Sequence, residues 1–277
     1  GHRSEISEAL GGPTQATLAE ADGGGRNSSW KEGEVPHGGS NLETGEPLWL
    51  GRERKQGTLD AYYKEELSAA QRRRIRAACV DMRKPFELSL RQWAPQCRIV
   101  YDKFHIMQHA NAAVDEVRRA EFFRQSKHKR GLVKGKRWLL LTRCVHLTTG
   151  KKRELNALFA LNRKLLKAYL MKESLDRLWT YTYEKAMLNY LQKRLDQLRW
   201  QRLEPFEKLG RMLLDHWDGI LNYCRIKVPM GVVEALNGNI KTLLRRGRGY
   251  QNLEYLLLKS QRRVATKTEI VIFRKAA

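Results

Sequence analysis

The sequence predicts an α/β protein whose small sheet is interrupted by a large all-α insertion. Three observations carry that expectation. Two short apolar runs, IRAACVDM (75–82) and RIVYD (98–102), flank the helix-like KPFELSLRQWAP (84–95), the spacing of a βαβ crossover between parallel strands. From Phe104 to about Arg225, apolar residues recur at i, i+3 and i+4 almost throughout, the signature of successive helices. Past Pro229 and Gly231, a last amphipathic stretch runs from Val233 to Tyr250.

The elements follow in chain order. Residues 1–40 hold nine of the 21 glycines, with Ser, Glu and Pro and no apolar period. Such a composition buries too little surface to offset its ordering entropy, so the segment is expected to be disordered or out of frame. Its character breaks at Asn41, where LETGEPLWLG reads as a turn and a short strand. TLDAYYKEELSAAQRRR (58–74) reads as one amphipathic helix with Leu59, Tyr62, Tyr63, Leu67 and Ala70 on one side. The helix over 84–95 ends at Pro95. The expected organisation is 1–40 unfolded, 41–103 as the first part of the core, 104–228 as the insertion and 229–277 as C-terminal helices. No internal repeat is present.

Charge bounds the partners. The chain of 277 residues has 53 Lys and Arg against 30 Asp and Glu, a net charge of +23. The first 50 residues carry three basic and eight acidic side chains, so the excess lies in the rest. That excess implies a polyanionic partner, with DNA as the default. No run of about 18 apolar residues exists to span a bilayer, and no export signal opens the chain. Cys79, Cys97, Cys144 and Cys224 show neither paired spacing nor zinc-finger spacing. They read as reduced, small hydrophobic side chains of a cytoplasmic protein.

On a helix at 100° per residue, Glu234, Asn237, Lys241, Arg245 and Arg248 form one stripe, opposite Val233, Leu236, Ile240, Leu243 and Leu244. A carboxylate thus shares a line with an amide and three cations, an arrangement suited to phosphodiester chemistry. Arg246, Lys259, Arg262, Arg263 and Lys267 extend the basic surface, and the glycines of RRGRGY permit close backbone approach to phosphate.

Asp81 ends an apolar strand. It has two readings: an N-cap for the helix that follows, or a metal-binding carboxylate at a solvent-open strand end. Asp102, His105 and His109 form D-x-x-H-x-x-x-H. The two histidines share a helix face, as a transition-metal site requires, while the plainer reading has Asp102 capping the helix and His109 in the core. Trp138, Trp179 and Trp200 fall in the helical insert, where core packing is the default. Trp200, flanked by Arg199 and Arg202, is the candidate for stacking on an unpaired base.

The segments CVDM, IVYDKFHIMQHANAAVDEVRR, KGKRWLLLTR, LNYC, GVVEALNGNIK and RRGRGY, in this order, resemble bacterial insertion-sequence transposases of the ISL-three type. These are DDE transposases with a ribonuclease-H-like core. The resemblance runs from about Leu42 to the C-terminus. It implies metal-dependent DNA cleavage and strand transfer, with Mg²⁺ or Mn²⁺ held by three acids, on element ends and target DNA, by a homo-oligomer in the bacterial cytoplasm at the nucleoid. CVDM matches the fourth strand, so the resemblance makes Asp81 the second acid and Glu234 the third. Asp102 and His105 match a D-x-x-H after the fifth strand and take a supporting role, with Asn237 beside Glu234 and Asp102 as the fallback second acid. Lys241, Arg245, Arg246, Arg248, Arg262, Arg263 and Trp200 are the expected DNA contacts. The family's first Asp lies in a G-x-D-E strand upstream of LETGEPLW, and no such motif occurs here. The cysteine-rich finger and helix-turn-helix of the family are also missing. The expectation is therefore an N-terminally truncated or frameshifted copy, its first strand lost and its catalysis impaired. The alternative is a non-catalytic DNA-binding remnant.

Overall fold

The computed structural model describes residues 15–20, 37–41, 46–51, 55–124, 129–226, 238–239, 242–243, 246, 252 and 254–262. The chain divides into two compact units, residues 1–102 with 226–277, and residues 103–225.

The first unit is built on a sheet of β1 (Gln15–Glu20), β2 (His37–Asn41), β3 (Pro47–Gly51), β4 (Ala77–Val80) and β5 (Arg98–Tyr101). Their order is β3-β2-β1-β4-β5. The β1–β2 and β2–β3 pairs are antiparallel, whereas β4 runs parallel to both β1 and β5. All four residues of β4 are buried, as an apolar run between two paired neighbours should be.

Two strands lie where the sequence predicts none. Strand β1 and all of β2 except Asn41 fall within residues 1–40, and β1 is an inner strand of the sheet. The segment 1–40, expected to be disordered or out of frame, is strand at its described residues 15–20 and 37–40. QATLAE is too short for its alternation to stand out among glycines and polar residues. Its strand state comes from the ladders offered on both sides, a tertiary effect that outweighs local propensity.

The helix expected over 58–74 is broken. Helix α1 (Gln56–Ala61) runs into a π-helical turn at Tyr62–Glu66. Leu67 is extended, and α2 (Ala69–Arg74) begins afresh. Ser68 starts it with a capping box: its Oγ accepts from the Gln71 N–H at 3.2 Å, and its own N–H donates to Gln71 Oε1 at 2.8 Å. Reciprocal capping of this kind satisfies two otherwise orphaned donors.

Helix α3 (Lys84–Trp93) links β4 to β5 and carries Pro at its start, where a missing N–H costs nothing. It packs on α1 through the fully buried Leu59, Phe86 and Leu90. Asp60 ties the two helices together, accepting from Ser89 Oγ and from Trp93 Nε1 at 3.0 Å. Residues 254–262 are helical, and Gln261 Nε2 donates to the Pro47 carbonyl at 2.8 Å.

The second unit is helical: α4 (Lys103–Arg124), α5 (Arg137–Leu141), α6 (Thr149–Leu161), α7 (Arg163–Asp176), α8 (Glu184–Gln201), α9 (Glu204–Asp215) and α10 (Trp217–Ile226). Helix α4 is its axis and packs on α7 and α9. Ile106, Ala110, Val114 and Val117 of α4 are buried, as are Leu165 and Ala168 of α7 and Phe206 and Leu213 of α9. Asn162 starts α7: its Oδ1 accepts from the N–H groups of Lys164 and Leu165, and its Nδ2 donates to Glu121 at 2.9 Å. No helix among the described residues is long and apolar enough to cross a membrane.

Candidate active site at the ends of β4 and β5

Strands β4 and β5 run side by side in one direction, with Val80 registered against Tyr101. Each is followed immediately by an aspartate. Asp81 is 3 % exposed and Asp102 is 5 % exposed. The Asp102 N–H donates to the Val80 carbonyl at 2.9 Å, which carries the ladder one residue past the strands. Two carboxylates therefore leave the sheet next to each other at its carboxyl edge, where open α/β sheets bind ligands.

Asp81 holds a turn. Its Oδ1 accepts the Arg83 N–H at 3.0 Å, an Asx turn leading into α3. Its Oδ2 pairs with Arg83 Nε at 3.1 Å. The N-cap of α3 is Arg83, without a side-chain cap bond, so Asp81 stands two residues short of the N-cap role that its spacing allowed. The Arg83 side chain is about half exposed, unlike its partner. Sequence reasoning missed this arginine, although an Arg two residues after a strand-end Asp is a visible signal. Farther along α3, burial works against ionisation of Glu87, but hydrogen bonds from Arg91 and Lys84 outweigh it and hold the carboxyl below its usual range.

His105 lies in the first turn of α4, and His109 follows one turn later. The pKa of His109 is lowered by partial desolvation and by the neighbouring His105 and His216. Three histidines thus gather in the second unit, yet the described residues contain no cluster of three or more His, Cys, Asp or Glu arranged to hold a metal.

Glu234, Asn237, Lys241, Arg245, Arg248 and Arg263 lie outside the described residues. Residues 238–239, 242–243 and 246 of the same stretch are helical. Thr242 Oγ1 donates to the Gly238 carbonyl at 2.7 Å, the i−4 back-bond of a helical threonine. Arg246 and Arg262 are exposed. Trp200 sits in the last turn of α8, with its side chain outside the description. Trp179 is buried, as core packing predicts, but Trp138 is not: it is 70 % exposed.

Comparison with known proteins identifies the family. A family model of the ISL3-type DDE transposases, described as Transposase, matches residues 29–260. The transposase for insertion sequence element IS1001 of Bordetella parapertussis is 33 % identical over 218 residues, covering 76 % of this chain and 53 % of that protein. The chain spans about half the length of this curated relative. No solved structure matches it. With most of its length matched by the family model, the chain belongs to the ISL-three family of DDE transposases.

Proposed function

We propose that the chain carries the carboxylate site of an insertion-sequence transposase, a metal-dependent DNA strand cleavage and strand-transfer centre, in an impaired form. The observation that carries this reading is the pair of buried aspartates at adjacent strand ends, Asp81 after β4 and Asp102 after β5. The strand order β3-β2-β1-β4-β5, with three antiparallel strands followed by two parallel ones, supports a ribonuclease-H-like sheet.

The donor set fits a hard divalent cation, because carboxylate oxygens are what Mg²⁺ and Mn²⁺ prefer. Asp81 and Glu234 would hold the ion, with Asp102 as the neighbouring acid. Such an ion polarises a phosphodiester and lowers the pKa of a water or a 3′-hydroxyl. The chain's own residues do the rest. Asp81, fixed by its turn, keeps its carboxylate at the sheet edge. Arg83, partly exposed, neutralises that carboxylate and is placed to swing towards a backbone phosphate. Asn237, Lys241, Arg245 and Arg248, which the sequence predicts on one stripe, would seat the strand together with Arg246. Arg262 and Arg263 extend the contact. The partners are element ends and target DNA, handled by a homo-oligomer.

The second reading, a non-catalytic DNA-binding protein, is favoured by the sequence of β1. QATLAE contains no Asp. The parallel register pairs Thr17 with Cys79, and two further residues along it set Ala19 level with Asp81. The family's first acid therefore has no counterpart at that level of β1. A nicking and strand-transfer assay on element ends with Mg²⁺ tests both readings. Weak activity that Glu234→Gln abolishes and Ala19→Asp raises is the expected result. Nicking unchanged by Glu234→Gln would remove Glu234 from the site. DNA binding without nicking, even in Ala19→Asp, would establish the second reading.

A further inference from the structure

The helical unit presents an aromatic and basic cleft that the carboxylate site does not use. It lies where α5 and the start of α6 meet and has a volume of about 190 Å³. Trp138, Leu139, Leu147, Lys136, Lys151 and Glu154 line it, with Gly135 at its edge. Leu139 and Leu147 are buried and form the floor. Lys136 and Glu154 are paired across it.

Trp138 is the unusual member. Tryptophan is normally well buried, yet this one is 70 % exposed. Its place is nonetheless fixed. It sits in α5, whose C-terminal end is pinned by the buried Lys172: Nζ donates to the carbonyls of Leu140 at 2.9 Å and of Leu141 and Thr142 at 3.2 Å. The Arg137 guanidinium lies 5.1 Å from the indole centroid. Gly135 adopts φ +76, and a Cβ there would meet nothing within 4 Å.

The segment that lines the cleft is basic, while Asp115 and Asp176 elsewhere in the unit pair with Arg137 and Arg143. Residues 129–154 contain nine Lys and Arg and a single acid, Glu154, which is already paired with Lys136. Lys134, Arg137, Arg143, Lys151, Lys152 and Arg153 are exposed. A polyanion is the complementary occupant. The cleft is smaller than the roughly 300–1,000 Å³ of small-molecule sites, which points to one planar group rather than a whole metabolite. In a duplex the base faces are already stacked, whereas an unpaired base offers its π-face to an aromatic side chain, with phosphates on either side for the lysines and arginines.

We propose that the Trp138 cleft binds one unpaired nucleotide of a DNA strand, the base stacking on the indole and the flanking phosphates contacting Arg137 and Lys151. This rests on the reading of the chain as a DNA-binding transposase and adds a preference for strands that are not fully paired.

The test compares a short duplex with the same duplex carrying one unpaired 2-aminopurine, by anisotropy and 2-aminopurine fluorescence. The chain as it stands should bind the unpaired form more tightly and quench its fluorescence. Trp138→Ala should lower affinity for the unpaired form roughly five- to a hundredfold and abolish the quenching, leaving duplex affinity within about twofold. Trp138→Phe should keep most of the preference. Because Trp138 is exposed, an unchanged melting temperature is expected for both variants. Equal binding of the two DNAs, or a preference that survives Trp138→Ala, overturns the cleft assignment while DNA binding stands. Failure to bind either DNA overturns the DNA-binding reading on which this proposal rests. A change of oligomeric state in Trp138→Ala without loss of DNA preference makes the cleft a protein interface and also overturns the proposal.

Discussion

The Asp102 N–H donates to the Val80 carbonyl at 2.9 Å, so the ladder between β4 and β5 continues up to the peptide that joins Val80 to Asp81. Each aspartate follows a buried strand residue and is itself buried. A carboxylate in that setting needs a partner, because desolvating a charge without one is costly. Asp81 has Arg83 in two ways, through the backbone N–H and through Nε. The same residue that closes the turn therefore balances the charge.

Substitutions at Asp81 should separate these roles. Asp81→Asn keeps an oxygen for the Arg83 N–H and removes the charge. Its urea midpoint should stay close to that of the parent, while Mn²⁺ binding and any nicking fall. Asp81→Ala loses the turn as well and should cost about 1–2 kcal/mol, the range for a buried hydrogen bond. Equal destabilisation by both variants would mean that the charge, rather than the turn, dominates the fold here.

Lys172 is a buried polar anchor of the helical unit. Its side chain is fully buried, and Nζ serves three carbonyls at the end of α5 as well as Glu173 at 3.2 Å. Lys172→Met retains the apolar stem but strands those carbonyls and leaves Glu173 without this cation. The expected loss is about 2–4 kcal/mol in urea denaturation, with α5 exchanging its amide hydrogens first. A loss below half a kilocalorie would show that water replaces the ammonium without strain.

The sequence made some of this legible and hid the rest for physical reasons. The βαβ unit was readable because β4 and β5 are short apolar runs at crossover spacing, and the parallel pairing follows from that spacing. Asp81 and Asp102 were readable as strand-end acids for the same reason. Strand β1 was not, because QATLAE depends on its neighbours' ladders rather than on its own pattern. The break at Leu67 was masked by an apolar period that continues across it, although the S-x-x-Q of Ser68 and Gln71 marks a helix start. Trp138 was assigned to the core by residue type alone. Its exposure depends on which face α5 turns outward, and a five-residue helix has too short a period to reveal that.

None of the four cysteines is in a disulfide, but they differ in environment. Cys79 and Cys224 are buried, and Cys144 is exposed. Burial pushes the Cys97 thiol up to about 12. Because the thiolate is the reactive form, brief native alkylation at pH 8 should label Cys144 and leave the other three for labelling after denaturation. Peptide mass mapping reads the result. Rapid modification of Cys97 would show that its surroundings admit water.

Alkaline pH should destabilise the first unit. Tyr62 and Tyr63 have pKa values raised above the ordinary phenol range, chiefly by burial; for Tyr63, Cys97, Tyr62 and Asp60 add to the shift. Cys97 is raised as well, to about 12. In each case the folded chain keeps a proton that the unfolded chain releases at lower pH. The stabilising contribution is therefore complete below the unfolded values, about 8.5 for a thiol and about 10 for a phenol. It is lost as pH climbs towards the folded ones. The melting temperature should hold up to about pH 8.5 and then fall progressively. Tyr63→Phe removes one of these protons, so its melting temperature should fall less steeply above pH 10, whatever its value at neutral pH. Cys97→Ser should flatten the earlier part of the decline in the same way. Curves for Tyr63→Phe and the parent that stay parallel through the alkaline range would show that Tyr63 ionises as readily in the folded chain as in the unfolded one.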